Sequence, residues 1–482
     1  MGSILDAVLS RQSRDPGPSH ATPPRPQSAF YTEASMSYTA AIDQLNALAP
    51  ELHTAPGQPR RKFSLDEIGI LLEVLGNPQR RFPSVLIAGT NGKGSTASTL
   101  ASILTVSGLR TGLYTSPHLA RTNERIRLDR AEIDDEAFAS LFFRVRDAAR
   151  QLLEEGQLPQ EPSYFEILTA QALLYFAEKR VQIAVLEVGM GGRLDATNIV
   201  DPLLAVITDI SLDHMEWLGS TIGAIAREKA GILRRRGTLI TLPQHPEAES
   251  ALEEAILELG VRRVYAEQYL PPAENDMIGP NCVRAMGATI RVDSPLAGAH
   301  QRRNVALAIA SAVELAAQGF PVRPAAIAEG IRKTRWPGRL ERIERDGVEW
   351  ILDVAHNPAG ALALRASLAP FLARAEEDGR PRTLIFSCLR DKPIAEMAQI
   401  LFPLFDRVIL SLIHSTRAAG MEELVNAAEA AGVSATRVGS VEQAIQLVHG
   451  ETQQPAMAVV SGSVYLVGEA RSLLLAESGV RP

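Results

Sequence analysis

Short apolar runs of strand type, each followed by a stretch of helical periodicity, recur along this chain in two blocks, and that alternation limits the possible folds more than any other feature. The first block has runs at 85–88, 112–114, 183–188, 203–207 and 238–242, and the second at 350–354, 383–387, 407–412 and 456–461. Runs that are apolar from end to end need cover on both faces, which is the situation of a parallel sheet wrapped by helices. The predicted class is therefore α/β, with two such units. Residues 283–292 read as an antiparallel edge, 300–317 as a long Ala-rich helix, and Trp336-Pro337-Gly338 as a connector. The expected division is a disordered extension over 1–35, a first domain over 36–335 and a second, Rossmann-like domain over 336–482. The extension is rich in Pro, Ser and Arg without apolar periodicity, and Met36 is an alternative start of translation. Ser64-Leu65-Asp66-Glu67 reads as a capping box that opens helical spacing through Leu75.

Composition narrows the function. A chain of 482 residues with 46% hydrophobic and 22% charged residues has ample core for two domains at roughly 150 residues or more each. Acidic residues outnumber basic ones by 56 to 49, and basic runs are as short as Arg234-Arg235-Arg236, so a nucleic-acid partner is not expected. Cys282 and Cys388 are too few and too far apart for a disulfide framework or a thiolate metal site, which suits a reducing compartment. No apolar run approaches the roughly 18 residues that span a bilayer, and the first residues lack a signal-peptide pattern, so the expected location is the cytoplasm with no membrane partner.

The strongest chemical signal is Gly89-Thr90-Asn91-Gly92-Lys93-Gly94-Ser95-Thr96, directly after a strand and opening a helix. Glycines let backbone N–H groups approach phosphate oxygens, the helix N-terminus adds partial positive charge, Lys93 adds a full one, and Ser95 or Thr96 can face magnesium. The strict Walker spacing is not met: Ile87 stands at the first Gly position and Gly94 separates Lys93 from the hydroxyl residue, so a plain Gly-rich turn is the alternative. A second cluster runs from Glu187 through Gly191-Gly192-Arg193-Leu194-Asp195-Ala196, also at the end of an apolar run, where a carboxylate can hold magnesium and where a simple strand-to-turn passage is the alternative. Asp213-His214, with Glu228-Lys229 following, forms a third; taken alone, a single His is more often structural than a ligand. Asp353-Val354-Ala355-His356-Asn357-Pro358 caps the first strand of the second block, as a turn reaching a nucleotide or simply as a helix start.

Together and in order, these segments resemble the folylpolyglutamate synthase and dihydrofolate synthase family within the Mur-type ligases, from about residue 63 to the end. The resemblance rests also on Leu75-Gly76-Asn77-Pro78, Thr115-Ser116-Pro117-His118-Leu119, Thr197-Asn198, Ala230-Gly231-Ile232 and Gly462-Ser463-Val464-Tyr465-Leu466-Val467. The family uses this non-Walker form of the phosphate loop. The resemblance implies an N-terminal ATPase domain, a C-terminal Rossmann-like domain and an active site in the cleft between them. It implies ATP and magnesium, as one or two ions, with Ser116, Glu187 and His214 as metal ligands and Lys229 as a carbamate-bearing residue. Asn304, Arg339, Asp353 and His356 are implied on the nucleotide, Ser163, Tyr164, Phe165 and Glu166 with Leu194, Asp195 and Ala196 on the pterin, and Lys392 on the glutamate side. Two positions depart from the pattern: Ser163 stands where Thr is frequent and Val354 where Gly is usual.

The implied reaction joins glutamate to dihydropteroate or a folate through an acyl phosphate, carried out by a monomer. Another Mur-type amide ligase, or a nucleotide-binding module without ligase activity, are the competing readings. The second would not need Lys93, Glu187, His214 and Lys229 together.

Overall fold

A computed structural model describes residues 37–48, 64–271, 281–451 and 455–476. The expected extension over 1–35, Met36 and residue 63 lie outside the described residues. The first sheet contains β1 (Ser84–Ala88), β2 (Thr111–Tyr114), β3 (Ile126–Leu128), β4 (Ala131–Glu132), β5 (Ile183–Glu187), β6 (Leu204–Ile207), β7 (Thr238–Thr241) and β8 (Arg262–Tyr265). Their order is β4-β3-β2-β5-β1-β6-β7-β8. The pairs among β2, β5, β1, β6, β7 and β8 are parallel, while β3 and β4 add an antiparallel edge. Every residue of β1, β2, β5 and β6 is buried, which is why these strands read as unbroken apolar runs. Separate apolar clusters fill the two faces of this sheet.

Helices close both faces. Lys93–Val106 is built mostly from small residues and is buried along nearly its whole length, so neighbouring helices can approach closely. At Gly330, in the helix Pro324–Arg332, an added Cβ would lie 2.4 Å from Ile103 Cα. Ser102 closes the same contact by donating to Gly330 O at 2.7 Å. Ser64 caps the helix Leu65–Val74, but in a form other than the expected capping box: its Oγ accepts from the Asp66 N–H at 3.0 Å, and the Glu67 carboxylate accepts from Gln160.

The second sheet contains β11 (Glu341–Arg345), β12 (Val348–Asp353), β13 (Arg382–Phe386), β14 (Arg407–Ser411), β15 (Ala435–Val438) and β16 (Ala456–Ser461), in the order β11-β12-β16-β13-β14-β15. All neighbours are parallel except β11 against β12. The α/β class and the two-sheet organisation are as the sequence predicts. The stretch 283–292 differs: among the described residues, Cys282–Ala285 and Ala288–Arg291 (β9 and β10) pair only with each other, as a separate hairpin. Val283, Ala285 and Ile290 anchor it in the helix-side core of the first unit rather than on a sheet edge. No helix among the described residues is long and apolar enough to cross a membrane.

Candidate active site

The strand order explains why motifs a hundred residues apart meet. β1 lies between β5 and β6, with Ile87 beside Glu187 and Ala88 beside Ile207. The loops leaving these three carboxyl ends are the three motif segments of the first block, at the point in the strand order where ligands collect. Across from them, β12 ends at Asp353 and leads into Ala355-His356-Asn357 before the helix Pro358–Glu377. One cavity of about 410 Å³ is lined by both sides, including Lys93, Glu187, His214 and Lys229 from the first unit and Asp353 and His356 from the second. Gly89 through Ser95, Ser116, Asn304 and Arg339 also line it.

The phosphate loop is held rigidly. Asp209 O accepts from the N–H groups of Thr90 and Asn91 at 2.9 and 3.2 Å, and the Asp209 carboxylate is gripped by Arg303 Nε and Nη2 at 2.6 to 2.9 Å. Those two N–H groups are therefore engaged. The N–H groups with no acceptor in their own helix are those of its first turn, at Lys93, Gly94 and Ser95. Lys93 Nζ lies over the loop, 3.1 Å from both Gly89 O and Thr90 O. Gly92 has φ +89°, and a Cβ there would stand 2.1 Å from Asn304 Oδ1, so only glycine lets the loop pass this helix. Thr96, expected on the nucleotide, is wholly buried and does not line the cavity.

Four ionisable groups on the first wall are displaced from their ordinary behaviour, three of them chiefly by burial. Burial pushes Glu187 up to about 7, against the opposing charge of Lys93 and the Ser116 N–H, which donates to Glu187 Oε2 at 3.2 Å. Burial and the nearby Lys93 push Lys229 down to about 7, and its Nζ donates to Gly89 O at 2.8 Å. Burial and the charge of Lys392 push His214 down to about 3. Asp213 moves in the opposite sense to its burial: the neighbouring His356, His214 and Lys392 together hold its carboxyl well below the usual range. On the second wall, burial raises Asp353 and lowers Arg339, and each charge partly offsets the penalty of the other. The Asp353 carboxylate also accepts from the Leu340 and Ala355 N–H groups at 3.0 and 2.9 Å. His356 Nδ1 lies 2.9 Å from Val354 O. A carbonyl can only accept, so Nδ1 carries the proton and Nε2 is the nitrogen left to act.

The residues present fit a magnesium ion. Glu187 is a buried carboxylate beside Ser116 whose ionised form is penalised, so a nearby cation would restore its charge. Ser95 Oγ, on the same cavity, is buried and has no hydrogen-bond partner among the described residues. No three His, Cys, Asp or Glu side chains converge on one point among the described residues. The protein would thus supply only part of the shell, which suits an ion that keeps waters and phosphate oxygens.

Two family models match the chain: the Mur ligase middle domain over 87–312 and the Mur ligase glutamate ligase domain over 338–464. Folylpolyglutamate synthase of Lacticaseibacillus casei is 35% identical over 91% of this chain and 99% of its own length. Dihydrofolate synthase/folylpolyglutamate synthase of Mycobacterium tuberculosis is 34% identical, covering 85% and 90%. The chain belongs to the folylpolyglutamate synthase/dihydrofolate synthase family. Among solved structures, M. tuberculosis folylpolyglutamate synthase complexed with ADP superposes with a TM-score of 0.80 at 32% identity, covering 92% of this chain and 100% of that one. E. coli FolC in complex with DHPP and ADP gives 0.78 at 29% identity, covering 93% and 100%. As a family member the chain is an ATP-dependent ligase, which removes the non-catalytic reading.

The residues that the family resemblance places on the pterin meet in part at Gly189, where an added Cβ would lie 2.7 Å from Phe165 Cζ and 3.2 Å from Asp195 Oδ2, and most of their polar atoms are engaged within the protein. Ser163 and Glu166 form a reciprocal cap on the helix Tyr164–Glu178: Glu166 Oε2 accepts from both Ser163 N and Oγ at 2.7 Å, and Ser163 Oγ accepts from Glu166 N. Phe165 is core, packed 5.9 Å from the Tyr114 ring. Tyr164 alone of the four offers an accessible ring, with the Arg125 guanidinium 5.2 Å above it. Leu194 and Asp195 line a side cavity of about 100 Å³ with Trp217 and Glu228. The Asp195 carboxylate is spent on Met190 N and Thr197, and Ala196 is buried at the turn. Lys392 does not line the main cavity; its Nζ sits 2.6 Å from Asp213 Oδ1. No chemical role is legible in the sequence for Asp213 or Arg303, although each adjoins a residue singled out there, while Asn357 caps the helix Pro358–Glu377 as the helix-start reading of its turn expects.

Proposed function

We propose that this ligase joins L-glutamate to dihydropteroate, to reduced folates, or to both, through an acyl phosphate, and that it does so as a single chain. The observation that carries this reading is the single cavity in which a phosphate loop, a buried carboxylate and a buried lysine face Asp353 and His356 of the other unit. A free carboxylate is a poor electrophile, so one of its oxygens first attacks the γ-phosphorus of ATP and ADP leaves. The glutamate amine, as the free base, then attacks the acyl carbon, and the tetrahedral intermediate expels inorganic phosphate.

The N–H groups of Lys93, Gly94 and Ser95 and the Lys93 ammonium are placed to hold the transferring phosphoryl group. His356 Nε2, fixed by the bond from Nδ1 to Val354 O, faces the same space from the second unit. Ser116, Glu187 and His214 would hold magnesium, which neutralises phosphate charge when bound. Lys229 is suited to carry a carbamate: with its pKa near 7, much of it is neutral amine that can attack carbon dioxide and release a proton, turning a buried cation into an anion beside the metal site. The N–H that remains can keep its bond to Gly89 O. Closure of the two units would exclude water, which otherwise hydrolyses the acyl phosphate.

Mass spectrometry of reactions containing ATP, magnesium and glutamate, with dihydropteroate in one and tetrahydrofolate in another, tests the reading. Amide product from both defines a bifunctional enzyme and product from one names its step. Product from neither removes the folate assignment in favour of another Mur-type amide ligase.

A further inference from the structure

Asp213 stands where the two units meet, and its carboxylate has more partners from the second unit than from its own. Its Oδ1 accepts from Lys392 Nζ at 2.6 Å, its Oδ2 accepts from Asn357 Nδ2 at 3.1 Å, and His356 Nε2 lies 3.7 Å from Oδ2. Both members of the ion pair are nearly excluded from water, with side-chain exposures of 5% and 8%. Asn357 and Asn91 then exchange amide hydrogen bonds, at 3.1 Å one way and 3.4 Å the other. Asn357 Oδ1 also caps the helix Pro358–Glu377 through Gly360 N at 2.7 Å. An unbroken chain of bonds thus runs from the loop after β13, through one carboxylate of the first unit, to the loop after β12 and on to the phosphate loop two residues before Lys93.

We propose that Asp213 is a positioning residue for the ligase reaction, clasping two loops of the second unit onto the phosphate loop, and that Lys392 serves this clasp rather than binding the incoming amino acid. A buried ion pair contributes little net stability after desolvation, but removing one partner strands the other charge, so its geometry is strongly enforced. The clasp sets where His356 and Lys93 stand relative to each other, and misplacement of about 1 Å at a reacting centre costs roughly 10²-fold in rate.

The proposal rests on the ligase reading, and the test keeps the two apart. Asp213→Asn, Lys392→Met and the double variant of the full chain are compared in kcat, in KM for glutamate and ATP, and by small-angle scattering without ligands. Each single variant is expected to lower kcat about 10²-fold, to leave KM for glutamate within about threefold, and to widen the ligand-free particle. The double variant is expected to be no worse than the poorer single one, the mark of a shared interaction. Asn357→Asp, which sets a second carboxylate against Asp213 while sparing Lys392, is expected to lower kcat likewise and provides the test if Asp213→Asn does not fold. Independent, multiplying losses overturn the proposal, as does a tenfold rise in KM for glutamate in Lys392→Met that Asp213→Asn does not share. If the unaltered chain makes no amide, the ligase reading fails by itself, and unchanged scattering in both single variants then overturns the clasp.

Discussion

The two walls of the cavity are built on the same plan and do different work. Both are the carboxyl ends of parallel strands followed by a helix. The first wall carries charge under strain: Glu187 near 7, Lys229 near 7 and His214 near 3, each displaced chiefly by burial. Burial displaces Asp353 and Arg339 on the second wall as well, but there the two opposite charges offset each other, and the groups are held by partners, with Asp353 on two backbone N–H groups, His356 on Val354 O, and Lys392 and Asn357 on Asp213. The contrast teaches that the first unit holds the reactive electrostatics while the second fixes geometry. Substitutions on the two walls should therefore fail in different ways.

Glu187→Ala should produce the largest effect, a loss of amide formation of about 10³-fold or more with the fold intact, since it removes the carboxylate proposed to hold magnesium against the transferring phosphoryl group. Steady-state rates together with circular dichroism check this, and retained ligase activity in the folded variant would remove Glu187 from the metal site. His356→Ala should cost less, about 10²-fold in kcat with little change in KM for ATP; a loss equal to that of Glu187→Ala would erase the difference between the walls.

Lys229 gives a pH-dependent test of strain on the first wall. Its folded pKa of about 7 lies below the ordinary 10.5, so folding excludes a proton that the unfolded chain holds, and its contribution to stability rises with pH across that window. In carbon dioxide-free buffer, the stability advantage of Lys229→Met over the unaltered chain should be greatest at or below pH 7 and shrink steadily toward 10.5. Denaturant unfolding at a series of pH values reads this directly, and a constant gap would show that the buried amine is not penalised. The smallest effect is expected for Ser163→Ala: about 1 kcal/mol of stability from the lost helix cap, with KM for the pteridine substrate nearly unchanged. A large KM rise without loss of stability would restore Ser163 as a substrate contact.

What the sequence discloses follows from burial. β1, β5, β6, β12 and β16 are buried at every position and appear as apolar runs. β8, β11 and β15 lie at or beside sheet edges, keep polar residues such as Arg262, Glu344 and Arg437, and gave no run to read. The phosphate loop was legible because one contiguous segment carries its chemistry. The clasp was not, because Lys392 and Asp213 are 179 residues apart and only the fold joins them. Ser163-Tyr164-Phe165-Glu166 carried its own clue: Ser followed by Glu three residues later, before an apolar run, is the signature of the cap that the structure shows.

The central claim is that one cavity couples phosphoryl transfer to amide formation through an acyl phosphate. The most direct test supplies the pteridine substrate with its reacting carboxylate labelled with oxygen-18, then follows the released inorganic phosphate by mass spectrometry in the presence of ATP, magnesium and glutamate. The account requires one labelled oxygen in the phosphate for each amide formed; amide formation with unlabelled phosphate would contradict it.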